Sequence, residues 1–362
     1  MKKIFFCIMN FFCALLFLNA QIKSMPKLPD SQSRSWRILE KAELSFEAGK
    51  FEDAFYLIQK SKENRKTEVD WAVFVLEEAL KPVSVQIVGD SLTEVIVTFQ
   101  ERNATNALNL INQILVTKSK KFFNDSVKEL LSYIKRFYAY PELDYLSGKL
   151  YFVEGEFSMA RQSFLKAWEH SEVLNVPENK YDILYDLASL AKIQEDYDEY
   201  EKTLLLIIEQ ENDEVKNQMM IRSFNISKST NQFFALFRNN NYFSLKAYFG
   251  LADLYMKNNL KEKALEMSLN GVITTFSRIE EILKERNNEY KYSSVKNIFL
   301  SLAEYSDIID WTNDLEIWHG IYNFAEISKQ NGKSNFAQDI WLALYLYCPN
   351  SYWQKIAFSK LQ

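Results

Sequence analysis

Apolar residues recur along most of the chain with the period of a helix, and one longer spacing is laid over that period. In its clearest copy Gly148 is followed after 7 residues by Gly155, after 12 by Ala160, after 16 by Phe164 and after 19 by Ala167. The same ruler selects Ala42, Gly49, Ala54, Ile58 and Ser61, then Ala252, Asn259, Ala264, Ser268 and Gly271, and finally Ala325, Gly332, Ala337, Trp341 and Leu344. A weaker copy runs through Ala188, Glu195, Tyr200, Leu204 and Ile207. Each copy predicts a helix carrying a small residue, a short turn where Gly or Asn takes a left-handed conformation, and a second helix carrying another small residue. Small residues let two antiparallel helices approach. The large residue four places after the second small one shares its helical face, where it is expected to fill the gap toward the next hairpin. Five of the eight glycines fall on the grid, while Pro82, Pro141, Pro177 and Pro349 fall between hairpins, where a helix has to stop.

The segment from Tyr145 to Trp168, YLSGKLYFVEGEFSMARQSFLKAW, resembles the tetratricopeptide repeat, a helix-turn-helix unit of about 34 residues. The resemblance implies an all-α fold, an α-solenoid of antiparallel helix hairpins over residues 35–362, preceded by a linker over 21–34. Tyr200 departs from it, standing where that family has a small residue. The first small residues of successive copies are separated by 106, 40, 64 and 73 residues, roughly three, one, two and two repeats. Residues 62–140, 209–243 and 272–317 are therefore expected to hold degenerate hairpins, for a total of roughly eight or nine. Within the first gap, Val83, Val85 and Ile87 alternate with polar residues and would suit a strand hairpin over 83–99. Ser91 and Glu94 form a capping box, and Phe99, Leu108, Ile111 and Leu115 continue at helical spacing, which favours helix from Ser91 onward.

Composition agrees with helices. Only 8 Gly and 6 Pro occur, too few for the many tight turns of sandwiches and barrels, and 48% apolar residues supply a long core and exclude general disorder. Residues 1–20 differ from the rest: Lys2 and Lys3 precede an apolar run from Ile4 to Leu18 that ends at Asn19 and Ala20, the layout of a secretory signal peptide. Cleavage near Ala20 and Gln21 would release a periplasmic or otherwise extracytoplasmic protein; an uncleaved anchor is the alternative. It would also leave Cys348 as the single cysteine, without an internal disulfide, and 41 basic against 48 acidic residues. That balance argues against nucleic acid as a partner, since Lys118, Lys120 and Lys121 make the densest basic group.

Chemistry-bearing motifs are scarce. Neither a phosphate-cradling glycine loop nor a paired-histidine or paired-cysteine metal motif occurs, so no catalytic residue, metal or cofactor is assigned. His170 and His319 are 149 residues apart, and His170 reads as a helix end. The run Glu195, Asp196, Asp198, Glu199 and Glu201 reads as a turn followed by an acidic first helical turn, and Cys348, before Pro349, as a buried structural cysteine. What remains is binding. The place three before the first small residue of each copy holds Leu39, Tyr145, Tyr185, Phe249 and Tyr322, and on a helix it shares a face with the places one and four after. The family resemblance makes that face the inner groove, lined by Tyr145, Tyr185, Phe249 and Tyr322 and bordered by Lys149, Phe152, Asp253 and Met256. The alternative is that these rings finish the packing between adjacent first helices. The function expected is a non-enzymatic scaffold for a protein or peptide partner. An accessory subunit of an envelope transport or assembly system, docking a solute-binding or outer-membrane protein, is the second reading, and an enzyme with an unrecognised site the third.

Overall fold

The computed structural model describes residues 26–80, 132, 134–209 and 214–362. The signal segment, the alternatives over 83–99 and the lysines at 118–121 lie outside these residues. The described residues form helices packed in neighbouring pairs and contain no strand. In chain order they are α1 (Ser35–Glu47), α2 (Phe51–Leu80), α3 (Pro141–Val153), α4 (Phe157–Glu169), α5 (Asn179–Ile193), α6 (Tyr197–Glu209), α7 (Glu214–Ile226) and α8 (Thr230–Leu236). There follow α9 (Leu245–Lys257), α10 (Lys261–Arg286), α11 (Val295–Leu302), α12 (Ser306–Asp314), α13 (Ile317–Gln330), α14 (Ser334–Tyr347) and α15 (Ser351–Leu361). No described helix is long and apolar enough to cross a membrane.

All five copies of the grid fold as hairpins: α1 with α2, α3 with α4, α5 with α6, α9 with α10, and α13 with α14. The turn position of every copy is left-handed, at φ 71° for Gly49, 79° for Gly155, 57° for Glu195, 57° for Asn259 and 76° for Gly332. The residue after each turn donates its N–H to the carbonyl five residues back, from Lys50 to Ser45, Glu156 to Tyr151, Asp196 to Ala191, Leu260 to Tyr255 and Lys333 to Ser328, at 2.8–2.9 Å. That bond closes a helix C-terminus only when the preceding residue turns left-handed, so the spacing dictates the conformation even where the residue is glutamate. Asp196 then accepts the Glu199 N–H at 3.1 Å, which accounts for the first acids of that run as the N-terminal cap of α6.

The chain divides into two compact units, the first ending at Pro177 and the second beginning at Glu178. Exposed residues 175–178 lengthen this connection, and Pro177 interrupts any helix there. In the first unit, Leu39, Ala42, Ala54, Ile58, Leu143, Leu146 and Leu150 form one core between α1, α2 and α3. Ile58 thus fills toward the next hairpin as its place in the grid predicts. The Phe164 ring lies over Gly148 in its own hairpin, so close that a Cβ on Gly148 would stand 2.4 Å from it. Asp144, 4% exposed, ties three helices by receiving Lys62 of α2 at 2.7 Å and Lys166 of α4 at 3.0 Å.

In the second unit α6 packs on α9 and α10 on α13, so the three grid hairpins follow one another and α15 closes against α13 and α14. The expected degenerate hairpins over 209–243 and 272–317 take another form. No glycine or proline follows Gly271 before Asn287, so α10 runs on to Arg286 instead of breaking. The pairs α7–α8 and α11–α12 are short excursions whose principal partners are α10, α13 and α14. Ser229 and Ser294 start two of these helices by accepting the N–H of Gln232 at 3.3 Å and of Asn297 at 3.0 Å. The described residues therefore hold five hairpins of the grid type, and much of 62–140, where further hairpins are expected, lies outside them.

Candidate binding site

The predicted groove residues divide between the units and between two roles. In the first unit Tyr145, Lys149 and Phe152 lie half-buried along α3. The Lys149 ammonium stands 4.8 Å from the centre of the Tyr145 ring and 5.6 Å from that of Phe46, within the range at which a ring face attracts a cation. Tyr145 also packs on Phe164 of α4 at 5.8 Å, and Phe152 on Phe157 at the same distance.

In the second unit, two of the predicted residues are spent on the fold. The Tyr185 hydroxyl donates to the Phe243 carbonyl and accepts the Ala247 N–H at 3.1 Å, which satisfies a free donor in the first turn of α9. Burial holds its ionisation well above the usual tyrosine range. Phe249 is 9% exposed, with its ring wedged between two glycines; a Cβ would meet it at 2.6 Å on Gly271 of α10 and at 2.5 Å on Gly320 of α13. These two side chains belong to the packed seam. The remaining three, Asp253, Met256 and Tyr322, are only partly buried.

Asp253 is the centre of a polar group that the sequence reading missed. One amide nitrogen, Nδ2 of Asn323, stands 2.6 Å from Asp253 Oδ1 and 2.9 Å from His319 Nε2. That nitrogen has two protons to give. Donating one to each makes Nε2 the acceptor and puts the imidazole proton on Nδ1, which faces Asp253 Oδ2 at 3.8 Å. The side chains of His319 and Asp253 keep 41% and 33% of their surface in solvent, whereas Asn323 is 8% exposed. His319 stacks on Trp353 of α15 with ring centres 5.6 Å apart, and Tyr322 leans on the same indole at 5.5 Å. Burial, with a smaller contribution from the Asp253 charge, pushes the Tyr200 hydroxyl up to about 12.

His319 and Asn323 are four apart on α13 and straddle Tyr322, so their common face was readable from the sequence. Their meeting with Asp253 and Trp353 was not, because it needs three helices to be placed. The group offers a carboxylate, an amide and ring surfaces, the means of binding by charge and contact. Among the described residues, no three His, Cys, Asp or Glu side chains are placed to hold a metal ion.

No family model matches the chain. It is similar to an uncharacterized protein of Treponema pallidum (strain Nichols), 27% identical over 333 residues that cover 90% of this chain and 89% of that one. A match of that length is confined to neither compact unit.

Proposed function

We propose that the chain is an exported, non-enzymatic scaffold of the tetratricopeptide type, which holds an extended peptide or a protein surface along its first helices. The observation that carries this reading is the half-exposed row of Asp253, Met256, His319 and Tyr322 on α9 and α13, two helices fixed by left-handed turns at set positions. Rigid helices that present a mixed apolar and polar face suit recognition, because little side-chain or backbone order has to be gained on binding.

A photoreactive residue placed at Met256 tests it in intact cells. It is expected to give a discrete adduct with a protein of the cell envelope, and the same probe at Leu342, 46% exposed on α14, is expected to give none. No adduct at Met256, or the same adducts at both positions, would overturn the reading. Export carries its own check: N-terminal sequencing is expected to find the mature chain starting at or near Gln21, and a start at Met1 in the membrane fraction would make it a tethered protein.

A further inference from the structure

One register position carries a carboxylate on three of the first helices. The residue immediately after the first small residue is Glu43 on α1, Asp253 on α9 and Glu326 on α13. Within the first unit, burial holds the Glu43 carboxyl above the usual range, and the charge of Lys149 on α3 opposes that rise. Within the second, Glu326 receives Lys360 of α15 at 2.8 Å, and that ammonium also lies 5.9 Å from the centre of the Tyr322 ring. At Asp253 the facing helix supplies His319 instead, with its proton on Nδ1 and no permanent charge. No lysine or arginine pairs with Asp253 among the described residues. Its Oδ1 is held by the buried Asn323 amide, while among the described residues Oδ2 has only the imidazole at 3.8 Å, and a third of the side chain is open to solvent.

A carboxylate fixed in place, without a cation of its own and walled by rings, is a receptor for a cation. We propose that Asp253, Asn323, His319 and Trp353 form a site for an arginine side chain of the bound peptide. Arginine is favoured over lysine because its flat guanidinium presents a fork of donors to Oδ2 and stacks on exposed ring surface at the same time. Lys360 between Glu326 and Tyr322 shows the same recognition made internally, by a residue of the chain itself. Asn323 is a positioning residue here, and Asp253 makes the ion pair.

The inference rests on the peptide-holding reading and is separable from it. The chain has two histidines, so protein labelled with isotopic histidine gives two ring signals, and His170 on the other unit serves as the internal control. The full chain is titrated with acetyl-Ala-Ala-Arg-Ala-Ala-amide and with the same peptide carrying citrulline, a neutral isostere of arginine. The arginine peptide is expected to move the His319 signal, to leave that of His170 in place, and to bind about tenfold more tightly than the citrulline peptide. Asp253→Asn, nearly isosteric, is expected to erase the difference between the two peptides. An unmoved His319 signal, equal response to both peptides, or a preference that survives Asp253→Asn would overturn the site. The comparison of peptides uses the unaltered protein, so a folding defect in the variant cannot decide the outcome. If the site fails while the Met256 probe still captures its envelope protein, the scaffold reading stands. If the arginine preference holds and no adduct forms, the site stands and the scaffold reading falls.

Discussion

Glu195 carries the cost of the grid most visibly. A side chain with a Cβ held at φ 57° loses about 1–2 kcal/mol to sterics, and Glu195 stays there because the Asp196 N–H must reach the Ala191 carbonyl. Glu195→Gly is therefore expected to stabilise the protein by about 1 kcal/mol, and Gly155→Ala, at φ 79°, to destabilise it by a similar amount; urea midpoints measure both. The exchange of a small residue for Tyr200 is also resolved at this scale. A Cβ on Gly250 of α9 would stand 2.6 Å from the Tyr200 hydroxyl, so a glycine on the facing helix makes the room that α6 does not. The turn conformations were legible because a Schellman closure is local in sequence. The pairing of Tyr200 with Gly250 was not, because it joins residues fifty apart. Cys348 was legible as buried and is 1% exposed, and burial pushes its thiol up to about 12. Since thiolate is the reactive form, native protein is expected to resist iodoacetamide at pH 8 and to be alkylated at Cys348 once denatured, as peptide mass analysis would show.

At the scale of the element, close helix approach and ring insertion set the energetics. Ala160 of α4 is fully buried and Ala264 of α10 is 1% exposed, each at a hairpin crossing. Ala160→Leu or Ala264→Leu is expected to cost about 1–3 kcal/mol by forcing the helices apart, and an unchanged denaturation midpoint in both would show that these crossings are loose. Phe249→Ala removes the ring held between Gly271 and Gly320. It is expected to cost about 3–5 kcal/mol, because two glycines offer no side chain to collapse into the space, and chemical denaturation reads that loss directly. The five hairpins could be read from spacing, and so in principle could the length of α10, given the lack of a helix breaker from Val272 to Arg286. The excursions α7–α8 and α11–α12 could not. Their lengths fitted whole repeats, and only the partners they choose reveal that they dress α10, α13 and α14 instead of adding hairpins.

For the whole molecule, the two compact units raise the question of where native order is firmest. Helix α10 spans 26 residues, about 39 Å of rod, and sixteen of them are buried, including Thr274, Thr275 and Glu280. It touches α7, α9, α11 and α13, so no one neighbour can leave and free it. Helix α15, at the far end of the same unit, buries only Ala357. Amide protons in these two helices should therefore exchange with solvent by different routes. Those of α15 need only a local opening, and those in the middle of α10 must wait for the whole unit to unfold. Deuterium uptake is expected to reach α15 first and the segment from Leu269 to Ile279 last. The protection there, converted to an opening equilibrium, would approach the global unfolding constant of that unit, so this one helix serves as a gauge of its stability without any denaturant.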